Sequence, residues 1–254
     1  MTSIAMVEFS NYTESVKKAF DIIGAGAILA KEKKILIKPN LVNSSPYPVT
    51  TPPECCEAVI RYLKDCTDAD LIIAEGCGDK DLETDDIFRL LGYSKMAEKY
   101  NIPLKDLNYE PLKKLSNPDC PVFPEMYLPK IAFTHYIISV PVLKAHSLAE
   151  VTGSLKNIMG FAPPEHYSGE FGIWKKSVFH NNMHQSILDL NRYRTPDLTL
   201  MDASTGLSGF HLGGPECEPP INKILAGFNP IDLDRKAAEL LGLDWKTIPH
   251  LSSH

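Results

Sequence analysis

The chain has 254 residues, 44% of them hydrophobic and 23% charged, with a formal net charge of −6. That length supports one large α/β-sized domain with a substantial core. The acidic balance excludes a global basic field for nucleic acid or anionic membrane, so any anion must be held by a local site.

The six cysteines, Cys55, Cys56, Cys66, Cys77, Cys120 and Cys217, form no C-x-x-C pair. Zinc-ribbon and ferredoxin spacings are therefore absent. The opening "MTSIAMVEFS" lacks the apolar run of a signal peptide, and no window approaches the ~20 apolar residues of a membrane span. The expectation is a cytoplasmic, reducing setting with mostly buried free thiols.

Short apolar runs alternate with helical patterns along the chain. "ESVKKAFDIIGAG" is helical and precedes the strand-like "KKILIK" (33–38). "PPECCEAVIRYLKDC" follows, with Pro52 and Pro53 suited to a first helical turn. "DADLIIAEG" (68–76) is the second strand pattern, and "TDDIFRLLGYSKMAEKY" is helical after it. Residues 103–130 hold many prolines and predict an irregular insertion with extended or edge strands. "HYIISVPV" (135–142) is a third strand. A second irregular insertion is predicted at 160–176, rich in glycine, proline and aromatics. "PDLTLMDAS" (196–204) and "INKILAG" (221–227) complete the strands. "DLDRKAAELLGL" is helical, with Asp232 or Asp234 as the expected cap and Gly242 as the stop. The pattern predicts a single α/β domain over 1–254, a mostly parallel sheet flanked by helices on both faces.

Ligands of such sheets sit outside the carboxyl ends of the strands. The residues falling there are Lys38 and Asn40 after the first strand, Glu75 after the second, Lys144 and His146 after the third, and Asp202 after the fourth. The stretch "SVPVLKAHSLAEVTGSLKNIMG" (139–160) concentrates the polar set. Read as a helix from Leu148 to Met159, it puts Leu148, Val151, Leu155, Ile158 and Met159 on one stripe. Thr152 and Lys156 then flank the stripe one turn apart, and Asn157 points outward. Lys156 could equally lie along apolar surface with its ammonium in water. Gly153 is costly inside a helix and suggests close approach of another group.

His180 and His184 are four apart in "FHNNMHQSILDLN". In one helix they share a side and could chelate a divalent metal, with Glu75 or Asp202 brought in by the fold. The alternative is two hydrogen-bonded histidines at a helix start. No phosphate-loop, dinucleotide or nucleophile-elbow glycine pattern occurs. Cys77, between Gly76 and Gly78, carries no sequence sign of a reactive thiol.

The motifs in order, "ILIKPNLV", "TPPE", "IIAEG", "LLGY", "IISVPVLKAHSLAEVTGSLKNIMG", "ILDLN", "LMDASTG" and "ILAGFNPIDLDRKAAELLGL", resemble the family catalogued as domain of unknown function 362. The resemblance runs from about Val7 to Leu251. It implies that Lys38, Asn40, Glu75, Lys144, His146, Thr152, Lys156, Asn157 and Asp202 occupy family motif positions. Many members carry ferredoxin-like modules and are labelled iron–sulfur proteins. This chain has no such cysteines, so no iron–sulfur cluster is expected. The family's threonine–histidine–proline after the first strand reads Thr51–Pro52–Pro53 here.

The functional expectation is an enzyme for a small anionic substrate, a carboxylate or phosphate. His146, Lys156 and Lys144 would be catalytic, with His146 as general acid/base. Lys38, Asn40, Thr152 and Asn157 would bind substrate. His180, His184, Glu75 and Asp202 would be the residues for an assisting metal. The alternative is a non-catalytic ligand or cofactor carrier, or the partner of a separate ferredoxin-type protein. Neither nucleic acid nor membrane is expected as a partner, and a homo-oligomer stays open.

Overall fold

The computed structural model describes residues 4–169 and 174–253. Its strands are β1 (Ile4–Glu8), β2 (Lys34–Pro39), β3 (Asp70–Glu75), β4 (Leu104–Asp106), β5 (Leu112–Ser116), β6 (Glu125–Pro129), β7 (Tyr136–Val140), β8 (Val142–His146), β9 (Glu150–Thr152), β10 (Leu198–Leu207) and β11 (Lys223–Gly227). Its α-helices are α1 (Tyr12–Ile23), α2 (Ala25–Leu29), α3 (Pro53–Cys66), α4 (Thr84–Leu90), α5 (Tyr93–Tyr100), α6 (Ser154–Asn157), α7 (Pro164–Tyr167), α8 (Met183–Tyr193), α9 (Pro230–Leu240) and α10 (Pro249–Ser252).

Among the described residues, the main sheet runs β1-β11-β10-β7-β2-β3-β4, with β8 and β9 branching from β10. Its centre is parallel, from β10 through β7, β2 and β3 to β4. The β1–β11 and β11–β10 pairs are antiparallel. Alternation along each strand sends side chains to two cores. Ile35, Ile37, Ile73 and Ile138 pack with Phe20 of α1 and Val59 and Leu63 of α3. Leu36, Ala74, Ile137 and Met201 pack with Leu155 of α6, Ile187 of α8 and Leu233 of α9. Helices thus cover both faces, as the alternation of patterns predicts.

The first irregular insertion holds the edge strand β4 and a separate antiparallel hairpin, β5–β6. The second contains a 3-10 turn at Ile158–Phe161 and α7. Residues 170–173, within that insertion, lie outside the described residues. No helix among the described residues is long and apolar enough to cross a membrane. All six cysteines are free thiols, five of them buried.

Three local expectations are corrected. The stretch from Leu148 to Met159 is not one helix. β8 extends the third strand to His146, a tight turn follows, and β9 pairs back onto β8 with Lys144 opposite Thr152 and His146 opposite Glu150. β-branched Val151 and Thr152 suit that strand. Only Ser154–Asn157 is α-helical. Gly153 is needed because Asp234 fills the space where a Cβ would stand. The Asp234 carboxylate accepts from Ser154 N at 2.6 Å and Leu155 N at 2.9 Å, so α9 caps α6.

Consequently Asp234 is not the cap of its own helix. Asn229 caps α9, accepting from Ile231 N and Asp232 N, while Gly242 takes the left-handed conformation expected of a stop (φ 73°). Lastly, the helical pattern after β3 divides into α4 and α5 at Gly92 (φ 84°).

Candidate functional site

Lys38 and Glu75 end neighbouring parallel strands, so their side chains emerge side by side at the carboxyl edge. The Lys38 Nζ donates to Glu75 Oε1 at 2.8 Å, to Asn157 Oδ1 at 3.1 Å and to the Pro39 carbonyl at 3.1 Å. Glu75 Oε2 accepts from Leu41 N, and Oε1 also accepts from Gly76 N. Asn157 Nδ2 donates to the Lys38 carbonyl and to Ser139 Oγ. Every charge in this buried group is paired and hydrogen-bonded, which burial requires. Backbone approaches closely overhead: a Cβ on Gly160 would overlap Glu75 Oε1 and Lys38 Nζ.

This group floors a cavity of about 350 Å³ whose lining includes Lys156, Lys176, His146, His180 and His211. Leu148, Trp174 and Phe210 stand at its wall and are exposed apolar side chains. Among the described residues, Lys38, Lys156 and Lys176 face one lining carboxylate, Glu75, so that part of the lining carries more positive than negative groups.

The lysines are held differently. Lys176 Nζ donates to Asn108 Oδ1 at 2.8 Å and to the Gly160 and Ala162 carbonyls. Burial lowers its ammonium to about 8. Lys144 Nζ donates to Asn40 Oδ1 and to the Val49 carbonyl, both at 2.6 Å. Burial, then the nearby Lys156 charge, lowers it to about 7. Lys144 thus stands behind Asn40 and outside the cavity lining. Lys156 is only partly buried and makes no hydrogen bond or ion pair among the described residues. Loss of hydration lowers it to about 8.

His146 is fixed by the turn it opens. Its Nδ1 accepts from Leu148 N at 3.0 Å and Ala149 N at 3.1 Å. The ring proton is therefore on Nε2, which has no hydrogen-bond partner among the described residues. The ring stacks on His211 with centroids 3.8 Å apart. Burial first, then the Lys156 charge, depresses both histidines far below neutrality, His211 to about 3. Both are uncharged at neutral pH. His146 is therefore an N–H donor and not the acid/base expected from sequence, because its other nitrogen is committed to backbone.

Of the residues singled out in the sequence, the cavity gathers Lys38, Asn40, Glu75, His146, Lys156, Asn157 and His180. Thr152 is buried in β9, its Oγ1 without a partner among the described residues, and does not line the cavity. The residues considered for a metal do not converge. His180 lies in the 3-10 turn Ser177–Asn182 and His184 in α8, so they do not share one helix. The break falls at Asn182 (φ −151°), which interrupts the helical twist that the i, i+4 spacing presumes. His184 Nδ1 lies 2.8 Å from His250 Nδ1. Asp202 accepts from Tyr12 OH at 2.7 Å and from Ser204 N and Oγ. Among the described residues no three His, Cys, Asp or Glu side chains are grouped to hold a metal ion.

Lys176 and His211 were not singled out from sequence. His211 falls in the glycine-rich loop after β10, where the strand-end rule points to a loop without picking a residue. Lys176 sits in an irregular insertion with no periodicity to mark it.

A family model described as "Domain of unknown function (DUF362)" matches residues 35–239. Comparison with curated proteins gave no match. Among solved structures the fold is similar to the lactate racemase apoprotein from Thermoanaerobacterium thermosaccharolyticum, with TM-score 0.54 and 13% identity. The alignment covers 92% of this chain and 56% of that one, so this chain spans a little over half of that protein's length.

Proposed function

The chain belongs to the DUF362 family, and on that footing we propose that its cavity is the active site of an enzyme for a small anionic substrate, a carboxylate or phosphate. The observation that carries this reading is Lys156: a partly buried ammonium facing the cavity with no partner among the described residues. Unpaired cations near a protein interior are costly, and an anionic ligand removes the cost. The neutral His146 supplies an Nε2–H donor beside it, suited to polarising a substrate oxygen. Lys156, lowered to about 8, is able to carry a proton near neutral pH. The likeness in fold to a protein titled lactate racemase is in keeping with a ligand of hydroxy-acid size.

Calorimetric titration with inorganic phosphate and with lactate tests the reading, using wild type, Lys156→Met and Lys156→Arg. Binding of at least one anion, weakened by about tenfold or more in Lys156→Met and kept in Lys156→Arg, is expected; tenfold corresponds to ~1.4 kcal/mol. Equal affinity in wild type and Lys156→Met would refute it. An anion bound without any turnover or hydrogen exchange across a panel of small acids would favour the carrier reading instead.

A further inference from the structure

The four lysines around the site differ in one chemical respect. Lys38 donates to three acceptors, one of them the Glu75 carboxylate. Lys176 donates to three neutral acceptors. Lys144 is tied to Asn40 and Val49 outside the cavity lining. Among the described residues only Lys156 faces the cavity with its nitrogen uncommitted.

We propose that Lys156 is an imine-forming lysine and that the substrate class is a small oxo acid, an aldehyde or ketone that also carries a carboxylate. The inference rests on the anion-site reading above and names the substrate for it.

Three features support the assignment. An amine lowered to about 8 by loss of hydration is partly neutral near neutral pH, and the neutral amine is the nucleophile. His146 Nε2–H, on a ring that also lines the cavity and without a partner among the described residues, is placed to hydrogen-bond a carbonyl oxygen and favour attack on its carbon. Lys176 lines the same cavity with its N–H groups held by neutral atoms, so in its protonated form its charge is there to attract the carboxylate. Met159, Leu148 and Phe210 form apolar wall that limits competing water.

The step is balanced without redox. The Lys156 nitrogen forms a C–N bond as the carbonyl π bond breaks, and one nitrogen proton passes to the oxygen, giving the carbinolamine. The C–O bond then breaks and the oxygen leaves as water with a second nitrogen proton. The product is the imine of Lys156, which hydrolysis returns to free amine and oxo acid. No oxidant or second reactant is needed.

Reductive trapping tests the proposal. The full-length protein is incubated with pyruvate or glyoxylate and sodium cyanoborohydride, and modified peptides are mapped by mass spectrometry. Lys156 is expected to be labelled at least about tenfold faster than any other lysine, with a rate that climbs as pH rises toward 8. Lys156→Arg, which keeps the charge, should bind the acid and lose the label, and Lys113→Arg on the surface hairpin should change neither. Thermal unfolding of each variant checks that it folds. Wild-type labelling of Lys156 no faster than of surface lysines, with calorimetric binding of pyruvate intact, would overturn the imine and leave the anion site standing. Absence of both label and binding of any acid would overturn both readings.

Discussion

Lys38 Nζ lies 2.8 Å from Glu75 Oε1, and the two side chains are 0% and 2% exposed. Each charge is tolerable only because the other is there. Removing one partner of such a pair costs about 3–5 kcal/mol, whereas removing both costs much less. Glu75→Ala should therefore destabilise by about that amount, and Lys38→Met with Glu75→Gln should be more stable than either single variant. Denaturant unfolding of wild type, Glu75→Ala, Lys38→Met, Glu75→Gln and the double variant measures it.

Gly160 leaves room for that pair. Because a Cβ there would overlap both Glu75 Oε1 and Lys38 Nζ, Gly160→Ala should cost about 1–3 kcal/mol and weaken anion binding together with it. Gly153→Ala should be destabilised through a different neighbour, the Asp234 carboxylate. Rescue of Gly153→Ala by Asp234→Ala, but not of Gly160→Ala, would separate the two by thermal unfolding.

The lowered lysines link stability to pH. Burial holds Lys144 near 7 and Lys156 and Lys176 near 8, against about 10.4 in an unfolded chain. Between those values the unfolded state binds more protons, so the contribution of these groups to stability rises with pH from about 7 to about 10.4. Asp234, pushed up to about 7 by burial, acts in the opposite sense below that pH. Lys156→Met should stabilise the protein at pH 7 by about 1–3 kcal/mol and flatten the rise toward pH 9. Denaturant midpoints at the two pH values are the measurement.

His146 should not titrate near neutrality. Its Nδ1 accepts two backbone N–H groups and its ring is buried beside Lys156. Nitrogen-15 NMR of labelled imidazoles should show the Nε2–H tautomer unchanged from about pH 5 to about pH 8, the span in which an ordinary histidine changes charge. An imidazolium signal for His146 within that span would refute the donor role and restore the acid/base one.

The strand ends were legible because parallel strands concentrate polar groups at their carboxyl edge, a one-dimensional pattern. Lys38, Glu75 and His146 follow from it. The Leu148–Met159 helix did not form, although its apolar stripe is real: Val151, Leu155, Ile158 and Met159 are all buried. An apolar spacing fits a strand, a turn and a short helix equally well when the chain reverses between His146 and Glu150 and enters a helix only after Gly153. The capping carboxylate that settles the matter comes from Asp234, 80 residues away in sequence.

The sequence by itself determined the α/β class, the position along the chain of the strands β2, β3, β7, β10 and β11 and which polar residues stand at their ends, because hydrophobic periodicity and turn residues act locally. It did not determine what each polar group would do. Lys38, Lys144 and Lys156 are the same residue type at similar topological places, yet one is ion-paired, one is tied to Asn40 and one is uncommitted. That division depends on Glu75, Asn40 and the backbone carbonyls that the tertiary fold brings within about 3 Å, the range over which a hydrogen bond exists at all.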